Sequence, residues 1–66
     1  MTLLIVTNLH RNFCFIVVSK NFLFYKNKLY RFGFSSLTHI RLYRRNKNGK
    51  FIEDAGIYKV IEQIYA

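Results

Sequence analysis

The sequence predicts a small α+β fold: a sheet of short antiparallel strands with a C-terminal helix, its core completed by partners. Three observations lead there. Residues 1–25 hold short runs of β-branched and aromatic residues, a length and composition that suit buried strands. Residues 26–50 alternate apolar and polar side chains at period two, the repeat of a half-buried strand. Ile57, Val60, Ile61 and Ile64 then recur at the i, i+3, i+4, i+7 spacing of one helical face. Sixty-six residues allow a single domain, and a chain this short buries only about 60% of the surface its unfolded form exposes. Small scaffolds make up that shortfall with disulfides, a metal or a partner. Cys14 is the sole cysteine, so no internal bridge forms. Cys14, His10 and His39 are too scattered for metal-ligand spacing. A partner is what remains.

Each element has its own signal. "TLLIV" and "FCFIVV", separated by "TNLHRN", read as two strands. They do not read as a membrane span, which needs roughly 20 predominantly apolar residues, because Asn8, His10, Arg11, Asn12 and Lys20 interrupt the run. Arg11 ahead of an apolar stretch is also how a targeting leader is built, but the segment is taken as part of the fold. "KLYRFGF" places Leu29, Arg31 and Gly33 on one side of a strand and Tyr30, Phe32 and Phe34 on the other. Gly33 within that pattern predicts a bulge or a close backbone approach. Ser35-Ser36 marks a turn, and "THIRLYRR" reads as another one-sided strand. Asn48-Gly49 is a strong hairpin signal, since both residue types tolerate positive φ. After an extended stretch at 50–53, a helix is predicted over 55–65, with Asp54 placed to cap its free N–H groups.

Charge divides the same chain into three parts. Residues 1–25 carry a net +2, residues 26–50 a net +8 with no acid at all, and residues 51–66 a net −2, which returns the total of +8. A pI near 10.1 favours association with a polyanion, either nucleic acid or an anionic membrane surface. The candidate contacts are Lys26, Lys28, Arg31, Arg41, Arg44, Arg45, Lys47 and Lys50. Lys and Arg neutralise phosphates, and Arg also stacks on bases. Tyr25, Tyr30, Phe32, Phe34 and Tyr43 interleave with them. Such rings offer stacking surfaces for unpaired bases, although a chain this small needs its Phe residues inside. The Arg44–Lys50 turn would lay its cations on backbone shape rather than on sequence.

Catalytic chemistry finds no footing. Glu53 and Asp54 are adjacent, so a strand points them to opposite faces and a helix sets them about 100° apart. His10 and His39 lack an orienting carboxylate or a nucleophile in the sequence, and Cys14 lies in an apolar strand where a thiol behaves as a small hydrophobe. No glycine-rich phosphate loop exists. The expectation is a protein that is not an enzyme and carries no cofactor or small-molecule substrate.

"RNKNGKFIEDAGIY" together with the "RFG" at 31–33 resembles the bacterial-type small-subunit ribosomal protein sixteen family. Arg31, Phe32 and Gly33 match one element of its pattern. Asn48, Gly49, Lys50, Phe51, Ile52, Glu53, Gly56 and Tyr58 match the other. The resemblance spans residues 31–58 and implies a small α+β protein bound to ribosomal RNA through basic strands and a loop. The chain departs from the pattern where Lys59-Val60 replaces the family's Asn-Pro, in a shorter spacer, in an N-terminal extension and in a missing C-terminal half. Phe, Ile, Asn, Lys and Tyr supply 31 of the 66 residues, and their AT-rich codons fit an organelle genome or some protist genomes. The combined expectation is a structural component of an organellar ribosome, mitochondrial or alternatively plastid, with ribosomal RNA and neighbouring ribosomal proteins as partners. The alternative is a small accessory subunit of an organellar membrane complex. There the apolar residues 1–25 would lie against lipid or a membrane subunit, and the basic middle at anionic headgroups. Residues 13–18 discriminate: protein covers them in one case, lipid in the other.

Overall fold

The computed structural model describes residues 1–65; Ala66, the end of the predicted C-terminal segment, lies outside them. Six strands follow in chain order: β1 (Thr2–Asn8), β2 (Arg11–Val17), β3 (Phe22–Tyr25), β4 (Lys28–Phe34), β5 (His39–Arg45) and β6 (Phe51–Tyr65). Each pairs antiparallel with its neighbour in sequence, and β6 returns to pair with β1, closing a barrel. The predicted α+β class is therefore wrong: the described residues contain no helix, and 55–65 lies inside the 15-residue β6.

Alternation within each strand builds the core. Leu4 and Val6 of β1, Phe15 of β2, Leu23 of β3, Phe32 of β4, and Ile40 and Leu42 of β5 are buried together. Phe13, Val17, Tyr25, Tyr30, Ala55, Tyr58 and Val60 pack against them half-buried. The core is thin, as the chain length requires. Phe13, Phe15 and Val17 therefore pack inside while Cys14, Ile16 and Val18 are exposed, so residues 13–18 divide between protein and surroundings. Cys14 is an outward thiol and not the small core hydrophobe expected.

The turns explain why the strands pair as they do. Leu9 and His10 (φ 50° and 65°) and Lys26 and Asn27 (φ 51° and 64°) form two-residue connections with positive φ at both positions, the handedness that matches strand twist. The Asn48-Gly49 hairpin forms as well, but only Gly49 takes positive φ, at 81°. The Lys50 carbonyl accepts the Asn46 N–H at 2.7 Å, and the Asn46 carbonyl accepts the Gly49 N–H at 3.1 Å. That is a three-residue loop in which the glycine takes the left-handed position. Gly33 does not bulge. It sits in regular register opposite Arg41, and a Cβ there would meet nothing within 4 Å.

β6 is where helical spacing misled. Its register slips once against β1, at Ile61, and twice against β5, around Ala55-Gly56 and at Ile52. Each bulge inserts one residue and adds bend, so β6 pairs with β5 over 51–59 and with β1 over 59–65. Of the four apolar positions at helical spacing, only Val60 packs on the core while Ile57, Ile61 and Ile64 are exposed, so the spacing does not mark one buried face. Asp54 does accept a backbone N–H, from Gly56 at 2.8 Å. It is a local turn bond within a strand and not a helix cap.

Candidate nucleic-acid interface

Two strands, β4 and β5, and the turns on either side of them present the cations. Lys26 lies in the β3–β4 turn with its ammonium 5.5 Å from the Tyr25 ring centre. Lys28 opens β4 opposite Tyr25. Arg31 is exposed between Phe22 of β3 and Tyr43 of β5 in the register. Arg45 sets its guanidinium 4.9 Å from the centre of the Phe51 ring, which stands 5.5 Å from that of Phe22. Lys47 and Lys50 are exposed in and beside the β5–β6 turn.

The remaining two cations are engaged. β6 brings Asp54 to Arg41 at 2.5 Å and Glu53 to Arg44 at 3.2 Å. The expectation that no acid balances the basic segment thus misses two partners, because they come from beyond its end in sequence and only strand pairing joins them. Both pairs are largely solvated and so contribute little to stability. Their effect is to orient the guanidinium groups. Among the described residues, Lys26, Lys28, Arg31, Arg45, Lys47 and Lys50 form no ion pair with an acid.

The ladders leave an opening beside these groups. β2 and β3 pair only at Ile16↔Phe24 and Val17↔Leu23, and the β4–β5 ladder ends at Arg31↔Tyr43. The β3–β4 hairpin therefore splays at its tip. Between that tip and β5 lies a cavity of about 390 Å³ lined by Phe24, Lys28, Tyr30, Arg44 and Arg45 among others. A second, of about 200 Å³, opens into the barrel mouth and is lined mainly by Phe15, Tyr25, Tyr30, Arg44 and Tyr58. The rings of Phe13 and Phe15 meet those of Tyr25 and Tyr58 edge-on at 5.2–5.7 Å. Burial, with the neighbouring phenols of Tyr30 and Tyr25, raises the pKa of Tyr58 above 10.0.

Of the eight cations read from sequence, Lys28, Arg44 and Arg45 meet at the larger cavity, with Lys26 in the adjoining turn. Arg41 is farther along β5, tied to Asp54. Of the interleaved aromatics, Phe32 is core, Tyr25 and Tyr30 are half-buried against it, and Phe34 is 56% exposed. Sequence reading missed Arg11, whose guanidinium lies 5.6 Å from the Phe13 ring at the mouth. It also missed Phe22, Phe51 and Tyr58, which reach the interface only once strands distant in sequence pack together. Compared with protein-family models, curated proteins and solved structures, the chain matches none. The α+β fold implied by the ribosomal resemblance is not the fold found.

Proposed function

We propose that this protein is a small RNA-binding β-barrel serving as a structural component of an organellar ribosome, mitochondrial in the first instance. The observation that carries the reading is the group of cations without acidic partners on β4, β5 and their flanking turns, set beside the half-buried rings of Phe22, Tyr25 and Phe51 and the exposed ring of Phe24. Phosphates would be neutralised there with release of condensed counterions. Arg31, Arg45 and the Phe22–Phe51 ring pair would form the outer part of the face. Elsewhere on the barrel, Ile64, Leu3 and Ile16 are successive cross-strand neighbours, with Ile16 and Ile64 37–39% exposed. A neighbouring protein in the same assembly would cover this apolar row. The thin core supports the reading too, since a ligand that binds only the folded state adds stability by mass action.

The test is the salt dependence of binding to a ribosomal RNA fragment, followed by fluorescence anisotropy. A Lys28→Gln/Arg31→Gln/Arg45→Gln variant is expected to bind more weakly at every salt concentration. Its slope of log affinity against log salt should fall by about 2–3, at roughly 0.7–0.9 for each phosphate no longer neutralised. Lys59→Gln, which lies outside the basic segment, should leave the slope unchanged. A triple variant with the wild-type slope would rule out this face.

A further inference from the structure

We propose that the splayed mouth of the barrel takes a single unpaired nucleobase, so that the RNA bound there is single-stranded. The inference rests on the RNA-binding reading and adds which RNA. Its basis is the joint failure of two ladders around one hairpin tip. Because β2–β3 pairing stops at Ile16↔Phe24 and β4–β5 pairing stops at Arg31↔Tyr43, the backbone of the tip at Tyr25–Tyr30 has a ladder partner in neither β2 nor β5, although its tyrosine rings pack on the core. The two cavities flank that tip and share Tyr30 and Arg44.

Their chemistries differ in the way a nucleotide's two ends differ. The inner cavity, about 200 Å³, is walled by the half-buried rings of Tyr25, Tyr30 and Tyr58 over a buried floor of Phe15 and Leu42. It offers a planar base aromatic surface, which any base can use because every base has a π-face. The outer cavity, about 390 Å³, carries Lys28, Arg44 and Arg45 and suits the phosphates on either side of that base. Glu53, 3.2 Å from Arg44, holds the shared guanidinium at the boundary. The strand backbone left without a ladder partner at the tip supplies donors and acceptors to the base edge. A paired base cannot enter, because it is stacked inside its own helix and its grooves show only edges and backbone.

The experiment follows the tyrosine ring resonances of the full-length protein by NMR. It is titrated with a single-stranded uridine octamer, an RNA duplex of the same length, and poly-L-glutamate as a polyanion without bases. The octamer is expected to shift the ring signals of Tyr25, Tyr30 and Tyr58. The duplex and poly-glutamate should move only backbone signals beside the cations. Tyr30→Ala should weaken octamer binding about 5- to 150-fold with an unchanged salt slope, since no charge is removed, and Tyr30→Phe should restore it. Should Tyr30→Ala not fold, the wild-type ring shifts and Tyr30→Phe carry the test. Octamer binding that leaves the three rings unmoved overturns the base site while RNA binding stands, as does an equal ring shift with duplex or poly-glutamate. Absence of binding to either RNA overturns both readings.

Discussion

Tyr58 combines three roles that its sequence position does not advertise. It packs on the core, walls the inner cavity, and donates its hydroxyl to the Ala55 carbonyl at 3.3 Å. Its raised pKa, caused first by burial and then by Tyr30 and Tyr25, has a consequence for stability. The unfolded phenol releases its proton near pH 10, whereas the folded one holds it longer. The associated stability is therefore present below about pH 10 and lost as pH rises through the raised value. Tyr58→Phe removes this component, so denaturant unfolding of the variant should lose less stability across that alkaline window than wild type. At neutral pH the variant should instead be less stable by roughly 0.5–1.5 kcal/mol, for the missing hydrogen bond. Parallel alkaline losses in both proteins would show that Tyr58 does not titrate as described. At this scale the sequence names the cations correctly as a basic segment. It hides that Arg41 and Arg44 already have acids, since Asp54 and Glu53 reach them only across the β5–β6 register.

Single strands were the most legible elements. The apolar runs near the N-terminus become strands because they are short and rich in β-branched and aromatic residues, and "KLYRFGF" and "THIRLYRR" because they alternate at period two. β6 was not legible, because bulges break that period and an isolated stretch gives no sign of where its partners will force a bulge. Two glycines show the difference. Gly56 lies at one bulge with φ 108°, and a Cβ there would meet the Tyr58 ring at 3.4 Å. Gly33 lies in an unbroken ladder with open space around it. Gly56→Ala should therefore cost about 1–3 kcal/mol, through a backbone conformation that side chains disfavour. Gly33→Ala should fall within about 0.5 kcal/mol of wild type, as surface changes usually do. Chemical denaturation of the two variants checks this, and equal effects would mean that β6 does not bend at Gly56.

Barrel closure belongs to the whole molecule and leaves no local trace. It depends on β6 meeting β1 from the opposite end of the chain, supported by the Asn8 side-chain amide donating to the Ile57 carbonyl at 2.7 Å. The predicted site was accordingly half visible: its charge could be counted in the sequence, but the aromatic mouth beside it assembles from β2, β3, β4 and β6. Five of the strands have seven residues or fewer, short of the roughly 9–11 that a membrane-spanning strand needs. The interior they enclose is filled by apolar side chains. With so little buried and a charge of +8, self-repulsion opposes the compact state and a bound polyanion relieves it. The most direct test of RNA as that polyanion is sedimentation of the native protein on a sucrose gradient, with and without ribonuclease. Co-migration with a ribosomal subunit that disappears after digestion is the expected result. Recovery with membranes, unaffected by ribonuclease, would contradict it.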